Sequence, residues 1–193
     1  MYKRKWQLAV VERERQVLPR MLDAPAADHV HRWLATRDVA VHCGATVRQI
    51  RQQADGAKAV ELSDGRSLTA DIVILATGIR PNLDLLDGSG IVIGDAILVN
   101  DRMQTNFPHV FAAGDVAQGP VLAGGANAVH PIQPTAVDHG RVAGANMAGH
   151  DVHYPGSLPM NVVDICGLQG ASFGRWDDAA AEGQMVPSST TSV

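Results

Sequence analysis

Two carboxylates stand where apolar strands end, a placement suited to holding a sugar. Gln7-Leu8-Ala9-Val10-Val11 runs into Glu12, and Val110-Phe111-Ala112-Ala113 runs into Gly114-Asp115. A carboxylate at the end of a parallel strand can accept hydrogen bonds from ribose hydroxyls. Gly114 lets the backbone pass close to a ligand. A third apolar run, Asp71-Ile72-Val73-Ile74-Leu75-Ala76, opens into Thr77-Gly78, again a strand end shaped for close approach. A fourth candidate is Gln133-Pro134-Thr135-Ala136, where a helix begins. The first N–H groups of a helix are unpaired and carry partial positive charge. Gln133 has such an N–H, whereas Pro134 does not. On local sequence alone each feature has a plainer meaning. Glu12 is also an exposed strand end, Asp115 a strand-to-turn corner, and the helix start an ordinary packing helix.

Distance arithmetic constrains Glu12. The glycine-rich phosphate loop of a dinucleotide-binding unit lies roughly 20 residues before its ribose-binding acid. Eleven residues precede Glu12 here. No G-x-G-x-x-G occurs elsewhere: Gly88 and Gly90 have Ile93 where the third glycine belongs. The chain is therefore expected to lack that loop.

The elements that must position these residues follow from periodicity. Gln7–Val11 reads as a buried strand. Asp23 caps a helix with Pro25 in its first turn. Ala26, Val30, Trp33 and Leu34 share one face of that helix, which ends near Arg37-Asp38. Val39–Cys43 is the next strand, giving a strand–helix–strand unit of a parallel sheet. Thr46–Gln53, Lys58–Leu62 and Ser67-Leu68 are short strands separated by Asp55-Gly56 and Ser63-Asp64-Gly65, an antiparallel meander. Asp71–Ala76 is expected as a fully buried strand, with further strands at Ala96–Val99 and Val110–Ala113. Gln118–His130 is a loop. The helix from about Pro134 carries Ala136, Gly140, Ala143 and Met147 inward and ends at Gly149. Asn161–Ile165 and Ala171–Phe173 are strands of another unit, and the tail from Ala179 is expected to be flexible.

Taken together, these stretches resemble one family. Thr105-Asn106-Phe107-Pro108-His109 through Ala113-Gly114-Asp115-Val116 is similar to the second flavin-binding motif of the FAD-dependent pyridine nucleotide-disulfide oxidoreductases. Ala76-Thr77-Gly78 with Arg80-Pro81-Asn82 resembles the strand leaving their NAD domain. Gln133–Gly140 resembles their flavin-facing helix. The resemblance runs from about Gln7 to Phe173 and is nearest in flavour to the ferredoxin-, rubredoxin- and nitrite-reductase type. It implies an α/β fold: a partial Rossmann-type NAD(P)-binding domain with a β-meander (1–80), a returning FAD-binding segment (81–150), a stub of an α+β interface domain (151–178) and a tail (179–193).

By that resemblance Asp115 binds the ribityl chain of FAD, with Gly114 beside it. Gly78 lies at the nicotinamide, Gln133 and Ala136 lie at the flavin edge, and Glu12 holds the ribose of NAD. Arg13 leaves NADPH open as well as NADH. The implied activity is electron transfer from NAD(P)H through FAD to a downstream acceptor, with no side chain needed as acid or base. The first FAD segment and first βαβ unit have no counterpart in the sequence. Alternatives are therefore a non-catalytic nucleotide-binding or dimerising remnant and one half of a complemented two-chain reductase.

Composition narrows the partners. The 193 residues are 46% hydrophobic and 19% charged, a globular balance, and the net charge is −4. That sign argues against nucleic acid as the main partner. No apolar run approaches the ~20 residues of a membrane span. Two distant cysteines, Cys43 and Cys166, make no disulfide framework, so a reducing cytoplasmic setting is expected. His29/His31 and His150/His153 lack the neighbours a metal needs. Expected partners are NAD(P)H, an electron acceptor, a complementary N-terminal half and a second copy of the chain.

Overall fold

The computed structural model describes residues 6–122 and 124–174. The basic stretch Met1–Lys5, the end of the expected interface stub (175–178) and the expected tail lie outside the described residues. The architecture is mixed α/β. It divides into two compact units, one running to Ala76 and resuming at Met160, the other Thr77–Pro159.

In the first unit, β1 (Leu8–Glu12) and β2 (Val39–Cys43) pair in parallel, from Leu8 opposite Val39 to Glu12 opposite Cys43. Helix α1 (Ala24–Ala35) joins them. Asp23 Oδ1 accepts from the Ala26 N–H at 2.9 Å, a cap contributing about 1 kcal/mol. Ala27, Val30 and Leu34 face inward and, with Val17, Leu22 and Val39, form the core. Each such Val or Leu contributes about 1.5–3 kcal/mol by leaving water.

The meander forms as expected: β3 (Val47–Gln52), β4 (Lys58–Leu62) and β5 (Ser67–Ala70), antiparallel in that order over Ala45, Val60 and Leu62. Asp55 and Asp64 close its turns by accepting from the N–H groups of Ala57 and Arg66, each at 3.0 Å. A hairpin of β8 (Met160–Ile165) and β9 (Leu168–Phe173) packs Ile165, Cys166 and Leu168 against the first unit's core. Trp33 Nε1 donates to the Ile165 carbonyl at 3.0 Å. The segment expected to begin an interface domain thus groups with the first unit.

The second unit has a small parallel pair, β6 (Ile97–Leu98) with β7 (Ala117–Gln118), and helix α2 (Gln133–Met147). Its core gathers Ile97, Val99, Met103, Ala112, Ala117, Val142, Ala143 and Tyr154. Gln118 stitches it: Oε1 accepts from the Asp95 N–H at 2.9 Å, and Nε2 donates to the Asn127 carbonyl at 3.0 Å.

Three expectations are corrected. Asp71–Ala76 is neither a strand nor buried; Ile74 is 66% and Leu75 72% exposed, and only Val73 packs, against the meander. A parallel strand covered on both faces needs ladder partners and flanking helices. Among the described residues β1 and β2 pair only with each other. Val110–Ala113 is not a strand either; it makes one bridge, Phe111 to Gln104, because a tight turn at Asn106–His109 folds it back on its own approach. The inward face of α2 is Thr135, His139, Val142, Ala143 and Asn146, while Gly140 and Met147 face out. Glycine and alanine give no strong apolar stripe, and the buried Asn146 holds the helix's rotation by donating to the Arg102 and Val152 carbonyls. Among the described residues no helix is long and apolar enough to cross a membrane.

Candidate cofactor site

Within the second unit, the residues Gly114, Asp115, Gln133 and Ala136 converge on one corner. Gly114–Val116 forms a single 3-10 turn packed on α2. Gly114 has φ +79°, the left-handed region that favours glycine, and a Cβ there would lie 3.5 Å from the Ala136 Cβ. The turn therefore rests on the first turn of α2 with a glycine facing an alanine. Asp115 is exposed, and among the described residues no group donates to its carboxylate.

The start of α2 lacks a side-chain cap at Ile132, and its first backbone bond runs from the Ala136 N–H to the Ile132 carbonyl at 3.1 Å. The N–H groups of Gln133 and Thr135 are left unpaired among the described residues. A free carboxylate therefore stands on a turn that touches the helix end bearing those free donors. That corner can take a ligand offering hydroxyls on one side and an electron-rich edge on the other.

Behind the corner lie residues that sequence reasoning passed over. Thr135 and His139, four apart on one helical face, are buried. His139 stands edge-on to Tyr154, ring centroids 4.7 Å apart at 89°. Among the described residues neither ring nitrogen of His139 has a hydrogen-bond partner. Burial pushes its pKa down, with His130 adding to the effect and Asp138 opposing it. Asn146 donates to the Arg102 and Val152 carbonyls at 3.0 and 2.8 Å, fixing the far end of α2. The signal that exposes this face is the i, i+4 run of Thr135, His139 and Ala143, which an apolar-only pattern skips. Gly78 has φ +100° and is exposed, and nothing lies within 4 Å of where its Cβ would stand.

In the first unit, Glu12 closes β1 at its carboxyl end. Its Oε1 accepts from the Glu14 N–H at 2.9 Å. The backbone of this turn is anchored to the end of β2: Gly44 N–H donates to the Glu14 carbonyl at 2.8 Å, and Ala45 N–H to the Glu12 carbonyl at 3.2 Å. Opposite Glu12, burial and then the Glu12 charge push the Cys43 thiol pKa up. Among the described residues no group of His, Cys, Asp or Glu could hold a metal ion.

Residues 2–136 match the pyridine nucleotide-disulphide oxidoreductase family. The chain belongs to that family. It is 35% identical over 169 residues to the epsilon subunit of the NADH-dependent phenylglyoxylate dehydrogenase of Aromatoleum evansii, covering 86% of this chain and 40% of that protein. A NAD-dependent persulfide reductase from A. fulgidus matches at TM-score 0.81 and 31% identity, over 87% of this chain and 31% of that one. The water-forming NADH oxidase from Lactobacillus brevis matches at TM-score 0.78 and 27% identity, over 84% of this chain and 36% of that one. An engineered NADPH-using form of that oxidase, in which an aspartate became alanine and the next residue arginine, matches over 85% and 36% of the two chains. The chain spans less than half the length of the curated relatives it matches.

Proposed function

We propose that this chain carries two contact regions of a flavoprotein oxidoreductase that passes electrons from NAD(P)H through FAD to a downstream acceptor. The observation that carries the reading is the Gly114–Ala136 contact, which sets the free Asp115 carboxylate beside the uncapped start of α2. Bound flavin supplies the hydride-accepting and electron-passing chemistry. The chain's own residues bind and orient. Asp115 accepts from ribityl hydroxyls, Gly114 keeps the turn clear of side chain, and the N–H of Gln133 and the helix dipole at Ala136 favour negative charge on the reduced ring. Glu12 accepts from the adenosine ribose of the nicotinamide nucleotide, and Gly78 gives the nicotinamide an approach free of side chain. Residues 1–80, 81–150 and 151–178 serve as the NAD(P)-binding part, the returning FAD-binding part and the start of an interface region.

Relatives named for rubredoxin and putidaredoxin support a small redox protein as acceptor. The run Ile72–Leu75, open and unpaired among the described residues, favours a second reading as well, in which the chain works together with another polypeptide that pairs with this segment.

The test is flavin binding by the full chain, followed by fluorescence quenching and melting temperature, in wild type and Asp115→Ala. The expected result is flavin affinity lowered about tenfold to a hundredfold, the worth of a charge-assisted hydrogen bond, with little change in the apoprotein's melting temperature. Equal quenching in both proteins, or early melting of the variant, overturns the reading.

A further inference from the structure

Strands β3 and β4 do not pair evenly. Val47 stands opposite Leu62 and Gln49 opposite Glu61, so Arg48 is an extra residue on β3. A bulge of this kind turns a side chain out of the strand's alternation. The bulge and the turn joining β4 to β5 border a cleft of about 520 Å³, a size suited to a small molecule. Arg48, Gln49, Glu61, Arg66 and Ser67 line it. None of these is among the residues assigned above to a cofactor.

The charges around the cleft are unevenly matched. Glu61 is matched from outside the lining by Arg51, with Nη2 3.3 Å from Oε1. Arg66 is matched by Asp64, whose Oδ2 accepts from Nε at 2.8 Å. The Arg66 Nη1 also donates to His42 Nδ1 at 2.7 Å, so the guanidinium is held from two sides. Arg48 is exposed and joins no ion pair among the described residues. The cleft therefore keeps one unmatched positive charge, and a second guanidinium of fixed orientation lines it as well. Guanidinium groups match the geometry of oxyanions. The Gln49 amide, the Ser67 hydroxyl and the Glu61 carboxylate offer donors and acceptors suited to hydroxyls.

We propose that the cleft between the β3 bulge and the β4–β5 turn binds a small polyhydroxylated oxyanion, a sugar phosphate or sugar acid. Arg48 and Arg66 take the anionic group, and Gln49, Glu61 and Ser67 take hydroxyls. A neutral sugar lacks the charge and inorganic phosphate lacks the carbon-borne hydroxyls, so neither matches the whole lining. Because the lining charges are exposed, binding weakens as salt is added.

The experiment titrates the full chain with glucose 6-phosphate, gluconate, glucose and inorganic phosphate, following backbone amide and arginine Nε resonances by NMR. One or both sugar anions shift the resonances of Arg48, Gln49, Arg66 and Ser67 at millimolar concentration, and the tighter of the two identifies the anionic group as phosphate or carboxylate. Glucose and inorganic phosphate each bind about fivefold more weakly or worse, the worth of the hydrogen bonds they cannot make. Arg48→Gln lowers the affinity for the sugar anion about tenfold, the lower end for a lost charge-assisted hydrogen bond. Its melting temperature stays unchanged, since residue 48 is exposed and has no ladder partner on β4. Arg48→Lys, which keeps the charge without the two-pronged donor, falls between wild type and Arg48→Gln. Glu61→Gln removes a negative charge and weakens a hydroxyl acceptor, so inorganic phosphate binds tighter and the preference for the sugar anion narrows. The proposal is overturned if neither sugar anion gives a saturable shift at these residues, if glucose or inorganic phosphate binds as tightly, or if Arg48→Gln stays within twofold of wild type.

Discussion

His139 is buried, 2% exposed, and among the described residues both of its ring nitrogens are without partners. A neutral imidazole keeps one N–H donor and one acceptor, and leaving a buried polar group unmade costs about 1–3 kcal/mol. His139→Leu removes that cost and preserves apolar bulk. It forfeits the edge-on contact with Tyr154, worth about 0.5–1.5 kcal/mol. The balance is a gain of about 1 kcal/mol near neutral pH. Hydrogen exchange in peptides covering α2 reads this locally, and at pH 7.5 protection there should rise about fivefold in the variant, the factor that 1 kcal/mol represents.

The pH dependence gives the sharper test. The folded pKa of His139 lies below its ordinary 6.5, so the unfolded state takes up the proton first. Stability supplied by the neutral ring is present above 6.5 and is lost as pH falls from there toward the lowered folded value. Wild-type α2 should therefore lose protection, corrected for intrinsic exchange, between pH 7.5 and 5, and His139→Leu should lose less. A residue of loss will remain, since His130 is also depressed by burial. His153 has the opposite sign. Asp101 raises its pKa, so its contribution is present below 6.5 and fades as pH rises through the raised value. Equal loss of protection in wild type and His139→Leu, or lower protection in the variant at both pH values, refutes the argument.

Other substitutions probe the remaining features. Gly156 has φ +114°, and a Cβ there would stand 2.4 Å from the Leu122 backbone nitrogen and 2.6 Å from the Val121 carbonyl carbon; Gly156→Ala should cost several kcal/mol, seen as loss of the cooperative melt of the second unit in calorimetry. Gly114→Ala should cost about 1–2 kcal/mol for its left-handed backbone, with a further loss of flavin affinity because the turn sits against Ala136. Glu12→Ala should weaken 5′-AMP binding in NMR titration and relax discrimination against a 2′-phosphate; an unchanged ratio of affinities removes Glu12 from the site.

The parts legible from sequence are those decided within a few residues. Asp23 and Pro25 start α1, and Asp55-Gly56 and Asp64-Gly65 close the meander of β3 to β5, because caps and turns depend on contacts no farther than three or four positions along the chain. The carboxylates Glu12 and Asp115 were equally visible, since an acid after an apolar run is a local pattern, although only Glu12 ends a strand. Other features depend on residues far apart. Ile72-Val73-Ile74-Leu75 has the composition of a buried strand, yet burial needs neighbours on both edges and faces, and composition does not supply them. The inward position of His139 goes with its edge-on contact to Tyr154, fifteen positions away, which no helical periodicity encodes. The meeting of Gly114 with Ala136, twenty-two positions apart, belongs to the same class. A carboxylate and a helix end are separate features in sequence, and only folding brings them to one corner.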